Sequence, residues 1–275
     1  MPTRPFEFLN REGQRLSGSL EVPEGLRRGW ALFAHCFTCG KKNLAAVRIG
    51  RTLASAGIGV LRFDFTGLGD SGGSFPDSSF SMNVQDLQSA AGAMQAAGMP
   101  ADLLIGHSLG GAAMLAAAGG IASARAVVTI AAPFDVAHLL HLLDPDGLAR
   151  LEAQGQSLVK VVGRPLSVGK AFVDDLRGHD QGARIAALRR PLLLLHAPFD
   201  QTVDIDNATR IFVAARHPKS FVSLDQADHL LSSRSDAEHV ANLIAAWASP
   251  YLPEPRDGPA EADAVAGKNA RAQKD

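Results

Sequence analysis

The sequence predicts an α/β fold, with a mostly parallel central sheet and helices packed on both of its faces. Short apolar runs alternate with longer segments of helical pattern, an order that is typical of strand–helix–strand units. The apolar runs are continuous rather than alternating, as expected for parallel strands that are buried on both sides. None of them approaches the roughly 20 residues that a membrane-spanning helix requires.

The predicted strands are short apolar segments bounded by turn residues. Two segments separated by Arg11–Gly13 predict an opening antiparallel hairpin, at Phe6–Leu9 and Gln14–Val22. The run Trp30–Ala34 is short enough to be a buried strand. Similar runs predict strands at Ile58–Phe63, Asp102–Ile105, Ala126–Ile130, Pro191–Leu195 and Ser220–Leu224.

Helical segments lie between and after these strands. The first spans about Leu44–Ala56 and ends at Gly57, since glycine commonly terminates helices. The segment Leu109–Ala118 is rich in alanine, leucine and methionine, which favours a buried helix. The loop Thr66–Gly73 is rich in glycine but lacks the Gly-Lys-Ser/Thr ending of a nucleotide-binding loop, so it is predicted to be a structural turn. Further helices are predicted over about Asn83–Ala97, Asn207–Ala215 and Asp236–Ala248.

The chain is predicted to form one domain over residues 1–252, followed by a disordered tail or linker remnant at 253–275. About residues 134–190 interrupt the alternation of strands and helices, and this segment is interpreted as a small cap at the sheet edge where ligands bind. The tail is rich in proline, alanine and charged residues, and Val265 is its only large apolar residue. It therefore cannot bury enough apolar surface to offset the entropy of ordering.

Composition excludes several classes of function. The chain has 27 basic and 28 acidic residues, so no bulk charge attracts it to nucleic acid or to an anionic membrane. Its two cysteines cannot form a multi-disulfide framework. The first residues contain no apolar signal region, which favours a cytoplasmic protein.

The strongest chemical signal is a Gly-x-Ser-x-Gly pentapeptide, Gly106–Gly110, centred on Ser108. It follows an apolar strand directly and opens a helix of small residues. This context predicts a sharp strand-to-helix turn that projects the serine hydroxyl from the sheet edge. The two glycines allow neighbouring backbone to approach the turn without Cβ clashes. Ser108 is therefore the candidate nucleophile.

A serine hydroxyl needs a base that takes its proton, and a carboxylate that orients the base. On this kind of sheet the order along the chain is serine, acid, histidine. His229 follows the last strand, at the same sheet edge as Ser108, and is the candidate base. Asp200 follows the preceding strand and is the candidate acid.

Three rivals lie in the same part of the chain. His196 ends a strand and competes as the base, but it precedes the best acid in sequence. Asp204 and Asp206 compete as the acid. They are expected to begin the following helix instead, where acidic side chains interact favourably with the N-terminal dipole.

Acyl transfer also needs donors that face the developing oxyanion. The backbone N–H of Leu109, directly after the nucleophile, is one candidate. A second donor usually comes from the loop after the third strand, here His35–Gly40, in which the N–H of Phe37 is the candidate.

Together these features resemble the α/β-hydrolase superfamily over about Phe6–Tyr251. The resemblance implies the α/β-hydrolase fold and the triad Ser108, Asp200 and His229. Several strings further resemble the hydrolase half of bacterial proteins that fuse an α/β-hydrolase to an OsmC-like peroxidase domain. These strings are His35–Cys39, Ile105–Ala113, Ala131–Asp135 and His217–Asp225. No second folded domain is predicted after Tyr251, so peroxidase activity is not carried over.

Three further groups are candidates for the substrate pocket. Cys36 and Cys39 have the spacing of a redox pair, but in a cytosolic enzyme they are expected to be reduced, buried thiols that shape the pocket. His107 is a second pocket candidate because it adjoins the nucleophile. His138 and His141 share one face of a predicted cap helix and are expected to flank the substrate entrance rather than to bind metal.

These observations predict a serine hydrolase that cleaves small, short- to medium-chain carboxylic esters and needs no metal or cofactor. A peptidase or a thioesterase would use the same triad. The elbow motif does not distinguish an ester from an amide or a thioester substrate. A non-catalytic or redox-sensing module that depends on Cys36 and Cys39 is the alternative from another class. The sequence leaves the oligomeric state open.

Overall fold

A computed structural model describes residues 2–36, 39–161 and 164–255, and its central feature is a mostly parallel sheet. The strands are β1 (Thr3–Leu9), β2 (Arg15–Glu21), β3 (Gly29–Ala34), β4 (Ile58–Phe63), β5 (Ala101–His107), β6 (Ala126–Ile130), β7 (Gln156–Val161), β8 (Arg164–Gly169), β9 (Leu192–His196) and β10 (Lys219–Ser223). Within the described residues, eight of them form one sheet in the order β1-β2-β4-β3-β5-β6-β9-β10. Strand β2 is antiparallel to β1 and to β4, and the other neighbours are parallel.

The helices cover both faces of this sheet. They are α1 (Leu44–Ser55), α2 (Phe80–Ala96), α3 (Leu109–Ala117), α4 (Pro145–Gln154), α5 (Lys170–Arg177), α6 (Gln181–Ala186), α7 (Asp206–Ala214) and α8 (Arg234–Ala248). In β5, Leu104 packs into one apolar cluster with residues of α2 and α3. Its neighbours Leu103 and Ile105 pack into a second cluster with residues of α1 and α8. Since adjacent side chains of a strand point to opposite faces, the two clusters lie on opposite sides of the sheet. The predicted fold class is confirmed.

Element boundaries differ from the predictions by a few residues where local capping decides them. Helix α2 begins at Phe80 rather than near Asn83, because the Ser79 hydroxyl accepts a hydrogen bond from the Met82 N–H and caps the first turn. At the other end of α1, Gly57 has a φ of +85°, a backbone conformation that non-glycine residues rarely adopt. The predicted helix end at this glycine agrees with that conformation.

The segment between β6 and β9 contains more than helices. It holds a 3₁₀ segment (Val136–Leu142), then α4, the antiparallel hairpin β7–β8, α5 and α6. The hairpin was not predicted. The segment is fixed to the sheet layers by Gln181, whose side-chain amide donates to the Ala112 carbonyl of α3 at 2.9 Å. The interpretation of this segment as a cap over the site stays a prediction.

One further prediction concerns the C-terminal tail, and another concerns membrane-spanning helices. The tail that is predicted to be disordered lies almost wholly outside the described residues, which end at residue 255. Over the part of the chain that the structure describes, no helix combines the length and apolar character needed to span a bilayer.

Candidate active site

Ser108 lies at the tip of the turn between β5 and α3, in a conformation that the flanking glycines permit. Its φ is +56°, a strained value for a non-glycine residue. A Cβ on Gly106 would lie 2.5 Å from the Gly110 carbonyl oxygen, and one on Gly110 would lie 2.3 Å from the His35 carbonyl oxygen. Both glycines are therefore required for the close approach of the turn to its neighbours. The predicted strand-to-helix turn is present.

The structure brings Ser108, His229 and Asp200 into one hydrogen-bonded chain. His229 Nε2 lies 3.1 Å from Ser108 Oγ, and His229 Nδ1 lies 2.7 Å from Asp200 Oδ2. Because a carboxylate only accepts, Nδ1 carries the proton and donates it to Asp200. Nε2 is then the free lone pair that can accept the serine proton.

Asp200 is held in place by its own loop. Its Oδ1 accepts hydrogen bonds from the backbone N–H groups of Thr202 (2.8 Å) and Val203 (2.9 Å). Burial alone would raise the pKa of Asp200, but the hydrogen bonds from His229 and from the two N–H groups outweigh it and lower the pKa. Asp200 is therefore ionised while it orients His229.

The three rivals have other roles in the structure. His196 is buried and donates from Nε2 to the Val203 carbonyl at 2.8 Å, so it supports the Asp200 loop instead of contacting Ser108. Its Nε2 lies 3.6 Å from Asp200 Oδ2. Asp204 accepts from the Asp206 N–H at 2.8 Å, and both carboxylates are exposed at the start of α7.

His107 packs against His229 and supports its loop. It is buried, and its Nε2 donates to the backbone carbonyl of His229 at 2.7 Å. The two imidazole rings pack with centroids 5.4 Å apart. Burial, together with the nearby His229, lowers the pKa of His107 to about 4, so its ring is neutral at physiological pH. The His107 ring is therefore bonded to the backbone of the His229 loop, and whether His107 also borders a substrate pocket stays a prediction.

Replacing His107 with glutamine is expected to reduce the acid sensitivity of folding. The unfolded state, with a pKa near 6.5, binds more protons than the folded state between about pH 6.5 and 4, so stability falls as the pH falls through this window. At pH 5 the wild type should lose about 2 kcal/mol through this residue. Urea unfolding at pH 7.5 and 5.0 measures the loss.

Glutamine keeps an N–H donor for the His229 carbonyl but does not titrate. The matched control is His239→Gln, the same exchange at an exposed position on α8, so that effects of the exchange itself are measured separately. An identical pH dependence in His107→Gln and in the wild type would contradict the assignment of a buried, neutral His107.

Of the two predicted oxyanion donors, the N–H of Leu109 lies within the described residues and the N–H of Phe37 does not. Leu109 is the first residue of α3, and the first N–H groups of a helix have no partner within it, so they are available to an anion. Phe37 lies outside the described residues. His35, at the start of the same loop, is buried, and its backbone carbonyl closely approaches Gly110 of the elbow.

Cys36 and Cys39 form a disulfide, which corrects the expectation of reduced thiols. The Cys39 N–H donates to the Cys36 carbonyl at 3.0 Å, and this tight turn brings the two Cα atoms to 5.2 Å, within the range that a disulfide spans. Cys36 is buried beside His35. The disulfide therefore joins the two ends of a tight turn at the start of the loop after β3.

His138 and His141 lie near the Asp200 loop, in the 3₁₀ segment between β6 and α4. His138 Nε2 contacts the Thr202 carbonyl at 3.1 Å, and the two rings are 6.1 Å apart. Among the described residues, no three or more histidine, cysteine or acidic side chains are grouped to hold a metal ion. Whether the two histidines flank a substrate entrance stays a prediction.

Sequence reasoning missed a buried charged network below the loop after β3. Lys41 Nζ donates to Asp64 (2.7 Å), to Asp70 (2.8 Å) and to Ser17 (3.1 Å), and the Lys41 N–H donates to Asp64 Oδ1 at 2.6 Å. A Cβ on Gly69 would lie 2.3 Å from the Asp64 carboxylate. The glycine-rich loop therefore folds around a carboxylate of the protein, which agrees with the prediction of a structural turn.

Replacing Lys41 with methionine is expected to lower the free energy of unfolding by about 2–3 kcal/mol, because Asp64 stays buried without its cation. The matched control is Lys42→Met. Lys42 also contacts Asp70, but its side chain is 79% exposed, so the change should be within about 0.5 kcal/mol. Urea unfolding of the two variants checks this, and equal losses would contradict a structural role for the buried ion pair.

A second serine, histidine and aspartate meet elsewhere, in a different arrangement. Ser81 in the first turn of α2 donates from Oγ to Asp175 at 2.8 Å and from its N–H at 2.7 Å. His179 Nε2 contacts the same carboxylate at 3.2 Å and lies 3.4 Å from Ser81 Oγ. The Ser81 hydroxyl donates to the Asp175 carboxylate, so His179 does not accept the hydroxyl proton. This cluster ties α5 to α2.

Comparison with known proteins decides the family. The chain matches the alpha/beta hydrolase family over residues 29–265. It belongs to this family. The esterase domain of a Rhodothermus marinus protein is 46% identical, with a TM-score of 0.77, and the match covers 91% of this chain and 99% of that structure. No curated protein matches the chain.

More distant solved structures share the fold alone. Est1E from Butyrivibrio proteoclasticus, solved with ferulic acid bound, is 18% identical, with a TM-score of 0.76 over 89% of this chain and 98% of that one. The mouse alpha/beta hydrolase domain-containing protein 10 is also 18% identical, with a TM-score of 0.70 over 90% of this chain and 99% of that one. This chain therefore has the same fold as these proteins.

Proposed function

We propose that the chain is a serine hydrolase that cleaves short- to medium-chain carboxylic esters. The observation that carries the proposal is the chain of hydrogen bonds from Ser108 through His229 to Asp200, with Ser108 on a strained turn. The R. marinus neighbour, which is described as an esterase domain, supports an ester substrate. It also supports a relationship to the hydrolase half of multidomain proteins.

The first half-reaction forms an acyl-enzyme. Ser108 Oγ attacks the acyl carbon while its proton passes to His229 Nε2. Asp200 holds the Nδ1–H tautomer and stabilises the imidazolium that forms. The N–H groups of Leu109 and Phe37 stabilise the oxyanion. The C–O bond then breaks, and His229 gives its proton to the leaving alcohol.

The second half-reaction releases the acid. Water enters in place of the alcohol, and His229 Nε2 takes a proton from it as its oxygen attacks the acyl carbon. The tetrahedral intermediate collapses, the bond to Ser108 Oγ breaks, and the proton returns to Ser108. The free enzyme is restored with no change in its protonation state.

Two measurements test this function. A fluorophosphonate probe should label Ser108, identified by mass spectrometry of the modified peptide, because only an activated serine reacts. A panel of p-nitrophenyl acetate and butyrate, an acyl-CoA thioester and an aminoacyl anilide should give the highest kcat/KM for an ester. Labelling of Ser108 with faster turnover of the thioester or the anilide would keep the triad but reject the ester assignment. No labelling would reject the hydrolase.

A further inference from the structure

A small cavity lies directly behind the elbow, between the loop after β3, helix α2 and the start of α3. Its volume is about 10 Å³, and its walls include Phe65, Phe75, Leu109, Gly110, His35 and Asn83. This is close to the smallest space that holds one water molecule.

Two buried polar atoms belong to residues that line this cavity. His35 Nε2 and Asn83 Oδ1 have no hydrogen-bond partner among the described residues, although the two residues are only 2% and 4% exposed. Buried polar atoms are paired in the great majority of cases, and an ordered water commonly supplies the missing partner. An apolar filling of the cavity would leave both atoms unpaired.

Both of these atoms are acceptors. His35 Nδ1 lies 2.8 Å from the Cys36 carbonyl, which can only accept, so Nδ1 carries the ring proton. Burial lowers the pKa of His35, and the ring stays neutral with a lone pair on Nε2. The Asn83 amide oxygen is also an acceptor. The missing partner must therefore donate twice, which a water molecule does with its two hydrogens.

We propose that this cavity holds one ordered water molecule that donates to His35 Nε2 and to Asn83 Oδ1. The water links Asn83 of α2 to His35, the first residue of the loop after β3. Leu109 lines the same cavity. A second step rests on the proposed function: Asn83 is a positioning residue. Through the water it holds His35 and the elbow in the geometry that the oxyanion donors require.

High-resolution crystal structures of the wild type and of Asn83→Leu test the water site itself. The wild type should show a water within about 2.6–3.2 Å of both acceptors. Leucine has the branched shape of asparagine without its oxygen, so the variant should show a dry cavity. A dry cavity in the wild type would overturn the proposal, and so would an Asn83 amide turned to donate directly to His35 Nε2. Neither result depends on whether the protein hydrolyses esters.

Steady-state kinetics test the positioning role. Asn83→Leu should lower kcat for p-nitrophenyl butyrate about tenfold with KM changed less than twofold, because the loop is displaced rather than removed. Gln85→Leu, a polar-to-apolar change on the same helix away from the cavity, is the matched control and should keep both constants. An unchanged kcat in Asn83→Leu would overturn the positioning role. Absence of turnover in the wild type would instead reject the proposed function and leave the water site standing.

Discussion

Replacing Ser108 with alanine is expected to lower kcat/KM for p-nitrophenyl butyrate by about 10⁴-fold or more. Alanine removes the only atom that can form the acyl-enzyme, so His229 Nε2 loses the hydroxyl that lies 3.1 Å away. The fold should be retained, since within the described residues the hydroxyl does not cap α3 and the glycines on either side of Ser108 remain. Initial rates of the purified variant and its urea unfolding curve measure both effects.

The chain offers an internal control for this variant. Ser81→Ala removes the hydroxyl of the other serine that lies near a histidine and an aspartate, but in that cluster the hydroxyl donates to Asp175. Ser81→Ala should therefore keep wild-type kcat/KM and lower only the free energy of unfolding, by about 1 kcal/mol. Loss of activity in Ser81→Ala with retention in Ser108→Ala would move the nucleophile to the second cluster.

The contrast between the two clusters shows what a sequence motif adds to composition. Ser81, Asp175 and His179 have the same side chains as the candidate triad, and nothing in their spacing marks them. Ser108 stands out because its turn needs glycine on both sides, and that steric requirement appears in the sequence as fixed spacing. The loops after β9 and β10 then place Asp200 and His229 at the same edge, because the C-terminal ends of parallel strands meet there.

Contacts between distant parts of the chain could not be predicted in this way. The bond from His107 to the His229 carbonyl joins residues 122 positions apart, and no local pattern signals it. Lys41 looks like a surface residue beside exposed Lys42, yet it is buried against Asp64. Such pairings depend on which strands become neighbours in the sheet. The elements and the triad follow from local patterns, whereas the groups that support the triad follow from tertiary packing.

Replacing Asp200 with asparagine is expected to lower kcat/KM by about 10³- to 10⁴-fold while the protein stays folded. The amide has the size of the carboxylate, and its oxygen can still accept from the Thr202 and Val203 N–H groups. Its NH₂ group then faces His229 Nδ1 and favours the tautomer with the proton on Nε2. That nitrogen can no longer accept the serine proton, and the imidazolium loses its counter-charge.

Asp204→Asn is the matched control, because Asp204 is an exposed residue of the same loop whose carboxylate accepts from the Asp206 N–H and not from His229. It should keep kcat/KM within about twofold, since surface charges contribute little. The pair of variants also decides between the acid assignments: a large loss in Asp204→Asn with activity retained in Asp200→Asn would mean that His229 turns to a different carboxylate during turnover. With the observed 2.7 Å contact and two backbone donors fixing Asp200, the large loss is expected in Asp200→Asn alone.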